Sequence, residues 1–390
     1  MINMLRDIKE VQLYNKRVLV RVDYNVPTNK DGEILDDFRI VKTLPTLNYL
    51  IEEKAKIILI SHIGRPSEGE KISLYNVGEV LKNLLQKDII FVKDCVGAAA
   101  KKAVANMKPG DVVLLENVRF YSEEVGNDDN FARELASLGE FYVNDAFSIV
   151  HRKHASVVGI PKFLPSAAGL LLKEELVTLD SVLQTPKRPL VAVLGGAKLE
   201  TKLPCILNFL EKADHLLIGG MLAPVILAIK KISLSSTHFN KDLEERVSKI
   251  RLTNPKLHMP IDALVGLKNH DQDYLRQAAV GKIRSEEQMF DIGPESIRIF
   301  SNVIQEANTI IWNGPLGYVE DERFAGGSLS LANAILRNPA FSVVGGGDTV
   351  AFLAKNGLRD KFGYISTGGG AMLKYLGGEE MPGIKAIQDE

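Results

Sequence analysis

Short apolar runs alternate with stretches of helical periodicity along the whole chain. In the first half, the runs lie at Val18–Val22, Ile57–Ser61, Val112–Leu115 and Phe141–Val143. Their length and polar borders are typical of buried strands. Between the second and third run, Val77, Val80, Leu81, Leu84 and Leu85 recur at the spacing of one helix face. Strands and helices that alternate in this way predict an α/β fold of parallel sheets flanked by helices.

In the second half, five apolar runs end directly in glycine-rich turns. These runs lie at 191–194, 216–218, 309–312, 342–344 and 364–366. Glycine lets the backbone turn sharply and lets a ligand approach the main chain. Four of the turns lead into helical patterns, whose N-termini would present N–H groups to phosphate oxygens. One such turn could be an ordinary strand-to-helix connection, but five together predict a nucleotide site.

The apolar runs of the first half end instead in arginine, histidine and aspartate. The motifs are Arg21–Pro27, Arg39, Ser61–Pro66, Glu116–Phe120 and His151–His154. Guanidinium groups match phosphate and carboxylate oxygens with two parallel hydrogen bonds. Each arginine alone could be a surface ion pair. Together, at neighbouring strand ends, they predict a site for a small, multiply charged anion.

The middle of the chain is marked by prolines that bracket one helical pattern. Pro161 and Pro165 precede the pattern, and Pro186 and Pro189 follow it. Proline ends helices and begins new elements, so this helix is predicted to connect two α/β domains. The predicted domains are 1–166 and 186–372, with a hinge helix at 167–185.

Two charged motifs follow the glycine turns of the second half. Lys198 and Lys202 are spaced to share one face of a first helical turn, where cations are unfavourable unless an anion offsets them. Two solvated surface lysines remain the alternative. Asp348 follows Gly345–Gly347 and could hold Mg²⁺ beside phosphates. It could equally be a helix N-cap, and the two roles are compatible.

Composition narrows the function classes further. The chain has 390 residues, a formal net charge of −1 and a pI near 6.7, so neither nucleic acid nor a membrane is expected as a partner. No secretory signal is visible, and a cytoplasmic location is expected. No P-loop motif occurs, and Gly345-x-Gly347 lacks the third glycine of a dinucleotide fingerprint. A nicotinamide dehydrogenase is therefore disfavoured.

The motifs of both halves resemble the phosphoglycerate kinase family over essentially the whole chain. In chain order they are Arg-Val-Asp-x-Asn-Val-Pro at 21–27, Ser-His-x-Gly-Arg-Pro at 61–66, Glu-Asn-x-Arg-Phe at 116–120, Asn-Asp-Ala-Phe at 144–147, Gly-Gly-Ala-Lys at 195–198, Asp-Ile-Gly-Pro at 291–294, Trp-Asn-Gly-Pro-Leu-Gly at 312–317, Gly-Gly-Gly-Asp-Thr at 345–349 and Ser-Thr-Gly-Gly-Gly-Ala at 366–371. The resemblance implies two Rossmann-like domains that face a central cleft and close about the hinge. It also implies that the C-terminal segment 373–390 returns to the first domain.

The resemblance further implies Mg²⁺-dependent phosphoryl transfer between 1,3-bisphosphoglycerate and ADP, giving 3-phosphoglycerate and ATP, by a monomer. The implied phosphoglycerate ligands are Asp23, Asn25, Arg39, His62, Arg65, Arg119 and Arg152. The implied nucleotide ligands are Lys198, Lys202, Gly219, Asn313, Glu320, Gly346, Gly347, Asp348 and Thr349. Arg39, Lys198 and Lys202 would be catalytic, and Asp348 would hold the metal. A catalytically impaired member would be expected to lack such residues as Arg39, Lys198 or Asp348, and all three are present.

Several positions depart from the family pattern. Ser148-Ile149-Val150 replaces the usual Gly-Thr-Ala, so a side chain occupies a glycine position. Thr201 stands where an aspartate is common, which removes a negative charge near the phosphates. Met221 stands where the family has a small residue beside the adenine pocket.

Overall fold

In a computed structural model, residues 5–64, 69, 71–232, 239–267 and 274–388 are described. The chain divides into two compact units. The first contains Met1–Val177 and Glu380–Glu390, and the second contains Thr178–Glu379. No helix in these ranges combines the length and the apolar character that crossing a bilayer requires.

The first unit is built on one parallel sheet. Its strands are β1 Arg17–Arg21, β2 Lys56–Ile60, β3 Ile89–Val92, β4 Val112–Leu115, β5 Phe141–Asn144 and β6 Ser166–Ala168. Its helices are α1 Phe38–Glu52, α2 Tyr75–Leu85, α3 Gly97–Ala105, α4 Ser122–Gly126, α5 Asp129–Ala136 and, near the C-terminus, α14 Pro382–Lys385. The strand order is β3-β4-β2-β1-β5-β6, and neighbouring strands run parallel.

The four strands predicted in the first half are confirmed to within one residue at each end. They form because β-branched and leucine side chains fill both faces of the sheet, so every residue of β4 and β5 is buried. The predicted helix stripe is also confirmed, since Val77 and Leu81 of α2 pack into the core of the sheet.

The second unit contains a second parallel sheet. Its strands are β7 Leu190–Leu194, β8 His215–Ile218, β9 Leu257–His258, β13 Thr309–Asn313, β14 Phe341–Gly345 and β15 Tyr364–Ile365, in the order β15-β14-β13-β7-β8-β9. The remaining helices are α6 Leu170–Gln184, which spans the division between the units, and α7 Leu199–Lys212, α8 Leu222–Ile229, α9 Lys241–Ser248, α10 Pro294–Gln305, α11 Gly326–Arg337, α12 Gly347–Lys355 and α13 Gly369–Leu376. As predicted, four of the five glycine turns lead into helices, namely α7, α8, α12 and α13.

An antiparallel sheet in the second unit was not predicted. Its strands are β10 Asp262–Leu267, β11 Leu275–Ala279 and β12 Glu287–Ile292, in the order β11-β10-β12. The edge strand β11 is largely exposed, and its Arg276 forms an ion pair with Glu287 at 2.7 Å. Such a strand depends on pairing with its neighbours and has no apolar run of its own.

The predicted hinge helix 167–185 begins later than expected. Residues Ser166–Ala168 form β6 and pair with β5, and α6 starts only at Leu170. The start is fixed by Asp145, whose Oδ1 accepts hydrogen bonds from the N–H groups of Leu171 and Leu172 at 2.9 and 3.2 Å. A carboxylate there satisfies N–H groups of the first helical turn, which have no partner within the helix.

The predicted return of 373–390 to the first domain also needs a correction. Residues up to Glu379 belong to the second unit, where α13 packs against α7. The segment that belongs to the first unit begins at Glu380, and there the N–H of Gly383 donates to Val150 O at 2.8 Å. The helical pattern of α13 continues past residue 373, so the sequence did not reveal this boundary.

Candidate active site

The motifs of the first unit lie at the ends of four adjacent strands, β4, β2, β1 and β5. Because the strands are parallel, their carboxyl ends share one edge of the sheet. Asp23, His62, Glu116 and Asp145 each follow one of these ends within two residues. The topology therefore brings together motifs that are far apart in the sequence.

Asp23 and Arg39 form a close ion pair at this edge. Arg39 Nη1 donates to Asp23 Oδ2 at 2.6 Å and to Asn25 O at 3.1 Å. Burial alone would raise the pKa of Asp23, but the Arg39 guanidinium, the Ser148 hydroxyl and the Arg21 guanidinium hold that pKa well below its usual range. Asp23 is therefore a permanent carboxylate, and it orients the guanidinium of Arg39.

A single residue, Gly64, links two more of the predicted ligands. The N–H of Gly64 donates to Asn25 Oδ1 at 2.8 Å, and Gly64 O accepts from Arg119 Nη1 at 2.9 Å. This links the loop after β2 to the loops after β1 and β4. Arg65, the next residue, lies outside the described residues, so its assignment stays a prediction.

Positive charge accumulates around His62, which is only 2% exposed. Burial, together with the neighbouring Arg152 and Arg21, lowers the pKa of Arg119 to about 10. Burial also lowers the pKa of His62 well below its usual value, and the same three arginines add to this shift. Cations that disfavour one another in this way are stabilised by a bound anion.

Three residues near this cluster were not among the predicted ligands. Arg21 is fully buried and contacts His62, His154 is buried beside Glu124, and the Ser148 hydroxyl donates to Asp23 Oδ2. The sequence did carry a signal for Arg21 and His154, since both stand in the motifs of the first half. For Ser148 the signal was its departure from the family pattern.

In the second unit, the side chain of Lys202 is buried among glycines. Its Nζ donates to Gly195 O, and a Cβ added to Gly196 or Gly314 would lie 2.6 or 2.7 Å from that nitrogen. Burial lowers the pKa of Lys202 to about 8, and nearby Asp348 partly opposes this shift. Glycines at these positions leave room for the ammonium group.

The two lysines of the predicted pair differ in their surroundings. Helix α7 begins at Leu199, so Lys198 is the N-cap residue rather than part of the first turn. Lys198 is exposed, whereas Lys202 is 8% exposed. The expectation of one shared helix face is therefore wrong, although both residues follow the same glycine turn.

The turn after β14 places Asp348 at the N-terminus of α12. Gly346 precedes the helix with a φ of 100°, a conformation that favours glycine. Asp348 is exposed in the first turn, while Thr349 is buried and its Oγ1 accepts from the N–H of Gly314 at 2.8 Å. Asn313 is also buried, with Nδ2 3.8 Å from Met372 Sδ. Thr349 and Asn313 are thus buried residues that support the turns from the interior of the unit.

A cavity of about 320 Å³ lies beside these turns. It is lined by Gly196, Ala197, Gly220, Met221, Gln288, Met289, Phe290, Pro315, Leu316, Gly317, Tyr318, Glu320 and Asp348. Mostly apolar walls with a few polar groups at the rim are typical of small-molecule sites. Of the predicted nucleotide ligands, Glu320 and Asp348 lie on its wall. Gly219 is buried against Leu316, and its neighbour Gly220 lines the cavity instead.

Met221 offers a direct test of this cavity. It is 39% exposed and lies on the cavity wall at the start of α8. Met221→Gly is expected to change the KM for the nucleotide by a few-fold, because a flexible thioether packs on apolar ligand faces or narrows the space for them. Steady-state kinetics should show an almost unchanged KM for the small anion expected at the first unit. Met221→Ala separates side-chain loss from backbone flexibility, and equal changes in both KM values would contradict the cavity assignment.

Gly195 is expected to tolerate no side chain. A Cβ there would lie 2.1 Å from Pro315 O and 2.7 Å from Gly314 O, and both atoms belong to the backbone of the neighbouring turn. Gly195→Ala should therefore lower the Tm by roughly 3–10 °C, from about 1–3 kcal/mol of overpacking. Gly370→Ala is the control, since no heavy atom lies within 4 Å of its Cβ position. Equal Tm values for the two variants would refute the close approach of these turns.

Asp348 lies where the sequence predicts a ligand for a metal ion. No group of three or more His, Cys, Asp or Glu side chains suited to a metal occurs in the described ranges. Mg²⁺ bound to a nucleotide needs only one or two protein carboxylates beside phosphate oxygens. An exposed carboxylate on the cavity wall and near the Lys202 ammonium fits this requirement.

Comparison with known proteins gives consistent results. The family model "Phosphoglycerate kinase" matches residues 8–379. The chain is 42% identical to the phosphoglycerate kinase of Pelotomaculum thermopropionicum, with 99% of each chain covered, and 41% identical to that of Aquifex aeolicus, with 99% and 98% covered. The solved structure from Coxiella burnetii superposes with a TM-score of 0.82 at 35% identity, covering 98% of each chain. That from Pyrococcus horikoshii gives 0.86 at 32% identity, covering 97% and 98%.

The two α/β units and these matches define a phosphotransferase that uses a nucleotide and has a carboxyl group as acceptor. The matches span nearly the full length of the chain and of its relatives. The chain belongs to the phosphoglycerate kinase family.

Proposed function

We propose that this enzyme transfers a phosphoryl group reversibly between 1,3-bisphosphoglycerate and ADP, giving 3-phosphoglycerate and ATP. The printed names of its relatives support this reaction. The observation that carries the proposal is the cation cluster of Arg21, Arg119 and Arg152 around His62. Burial, and next to it the neighbouring arginines, lower the pKa values of His62 and Arg119, so the positive charges of the cluster repel one another. A small acid with several negative charges would relieve that repulsion.

The first unit would bind the phosphoglycerate. Arg39 would contact the acid near its reacting group, since its guanidinium is oriented by Asp23 and by the carbonyl of Asn25. Arg119 and Arg152 would bind the remaining negative charge, with His62 as a neutral hydrogen-bond donor. Arg65 is assigned here from the sequence motif alone.

The second unit would bind the nucleotide. The apolar cavity has the character needed for a base, with Met221 and Leu316 on its walls and Glu320 at its rim. Lys202, Lys198 and the N-terminus of α12 would bind the phosphates, because a buried cation and free N–H groups both attract phosphate oxygens. Asp348 would hold Mg²⁺, which when bound neutralises phosphate charge.

Catalysis would require alignment and charge stabilisation without a general base. The acceptor in the direction of ATP consumption is a carboxylate, which is already ionised at neutral pH. A kinase acting on a hydroxyl needs a residue that accepts its proton, and this reaction has no such proton. The guanidinium of Arg39 and the ammonium of Lys202 would stabilise the charge on the transferring group.

A coupled assay with 3-phosphoglycerate and MgATP tests the proposal. The product 1,3-bisphosphoglycerate is reduced by a coupling dehydrogenase, and the loss of NADH absorbance reports turnover. We expect saturable turnover with 3-phosphoglycerate and none with glycerol 3-phosphate, which has the phosphate but no carboxylate. Absence of turnover with 3-phosphoglycerate would refute the proposed function.

A further inference from the structure

Arg21 contacts His62 in a way that fixes where the imidazole carries its proton. The side chain of Arg21 is 1% exposed, and its Nη2 lies 3.2 Å from His62 Nδ1. A guanidinium nitrogen donates hydrogen bonds and accepts none. His62 Nδ1 must therefore accept, so the single proton of the neutral ring is on Nε2.

A second neighbour competes for the same nitrogen. Asp23 Oδ1 lies 3.5 Å from His62 Nδ1, and it could accept a hydrogen bond only if Nδ1 carried the proton. That tautomer would direct an N–H at the Arg21 guanidinium. The shorter contact with Arg21 therefore selects the tautomer, and it depends on Arg21 being held in place.

Glu124 holds Arg21 in place through Ser156. Arg21 Nε donates to Ser156 Oγ at 2.7 Å, and that hydroxyl donates in turn to Glu124 Oε1 at 2.5 Å. The other carboxylate oxygen of Glu124 accepts from the Ser156 N–H at 2.8 Å. Glu124 Oε1 is also 3.9 Å from Arg21 Nη2, and both side chains are essentially buried.

Glu124 is also the counter-charge of this part of the cation cluster. Its Oε1 lies 3.8 Å from His154 Nδ1 and also near Arg21. The other carboxylate of the site, that of Asp23, is paired with Arg39. Removing one member of a buried ion pair leaves the other as an uncompensated charge, which is strongly unfavourable. Without Glu124, the Arg21 guanidinium would keep its contacts with Val22 O and Ile60 O but would lose its counter-charge and the carboxylate that anchors Ser156.

We propose that Glu124 and Arg21 are positioning residues: Glu124 fixes Arg21 through Ser156, and Arg21 fixes His62 as an Nε2–H donor for an anionic oxygen of the substrate. The nature of that substrate rests on the proposed function. The tautomer of His62 does not depend on it, because it follows from contacts within the protein alone.

Nitrogen-15 NMR of the full-length protein labelled at histidine tests the inference at pH 7 without substrate. The chain has seven histidines, so the signals of His62 are identified by their loss in His62→Gln. We expect an unprotonated, hydrogen-bonded Nδ1 and a protonated Nε2. Arg21→Lys keeps the charge but removes the Nη2 contact, and it should move the proton partly or wholly to Nδ1, towards Asp23.

Glu124→Gln should shift the His62 signals in the same direction as Arg21→Lys. It should also lower kcat/KM for 3-phosphoglycerate by about tenfold or more, because weakening one charged hydrogen bond, here that from His62 to the substrate, has an effect of this size. The KM for MgATP should change little. Ser156→Ala removes the bridging hydroxyl and no charge, and it supplies the same readout if the Glu124 variant does not fold. Glu123→Gln, at the exposed neighbouring position, should change neither measurement.

Two results would overturn the inference. One is a protonated Nδ1 on His62 in the unmodified protein. The other is a folded Glu124→Gln variant whose His62 signals and kinetics equal those of the unmodified protein. Failure of the proposed function would look different, because turnover of 3-phosphoglycerate would be absent while the His62 spectrum still reported the tautomer.

Discussion

Arg39→Lys is expected to lower kcat on the order of 10²-fold, as the loss of other preorganised donors does, with a much smaller change in the KM for 3-phosphoglycerate. Arg39 Nη1 contacts both Asp23 Oδ2 and Asn25 O, so these two acceptors set the plane and direction of the guanidinium. A lysine keeps the charge and can contact Asp23, but it has no planar fork. The contacts that are lost should belong mainly to the transition state.

The measurement is the separate determination of kcat and KM in the coupled assay. Arg17→Lys is a matched control, because Arg17 forms an exposed ion pair with Glu140 at the start of β1, whereas Asp23, the partner of Arg39, follows the end of that strand. It should leave both constants unchanged. An unchanged kcat in Arg39→Lys would show that Arg39 does not stabilise the transferring group.

Lys202→Met is expected to lower kcat by about 10²- to 10³-fold and to raise the KM for the nucleotide. Methionine has nearly the shape of lysine, so the buried space among Gly195, Gly196 and Gly314 stays filled while the charge is lost. Kinetics with each substrate varied in turn provide the measurement. An exposed lysine of the same unit, Lys355, gives the control as Lys355→Met. Comparable losses in both variants would show that the buried ammonium has no special role.

Lys202 should also produce an alkaline limb in the pH profile. Burial lowers its pKa to about 8, so the ammonium loses its proton as the pH rises through that value. Because the cation is the form that binds phosphate, kcat/KM for the nucleotide should fall by about tenfold between pH 7 and pH 9. The pH dependence of kcat/KM reports the pKa of the group in the free enzyme. The residual activity of Lys202→Met should lack this limb. A flat profile for the unmodified enzyme would contradict the assignment.

The parallel sheets were predictable because their strands are buried on both faces. The run Val112–Leu115 became β4 without any change of boundary, since such a strand needs apolar residues at every position. The antiparallel strand Leu275–Ala279 has no such pattern. It pairs through its backbone with Asp262–Leu267, and its Arg276 reaches Glu287 on the strand beyond, and contacts of this kind are not visible in local periodicity.

The candidate site was predictable to the extent that its residues stand in motifs at strand ends. What could not be predicted is which of the charged side chains are buried. Arg21 and Lys202 are inside their units because of distant partners: Ser156 is 135 positions away from Arg21, and the turn at Gly314 accommodates Lys202. Lys198 has the same charge and lies four positions from Lys202, yet it is exposed because the helix begins only after it.

The central claim is that the cation cluster of the first unit binds the phosphoglycerate and that the cavity of the second unit binds the nucleotide. Calorimetric titration of each ligand into Arg119→Gln and Lys202→Met tests this claim most directly. The account predicts that Arg119→Gln weakens the binding of 3-phosphoglycerate at least about tenfold and leaves the affinity for MgADP unchanged. Lys202→Met should weaken the binding of MgADP by a similar factor and leave the affinity for 3-phosphoglycerate unchanged. The assignment of the two sites would be contradicted if each variant lowered the affinities for both ligands equally. It would also be contradicted if neither variant lowered the affinity for the ligand assigned to its unit.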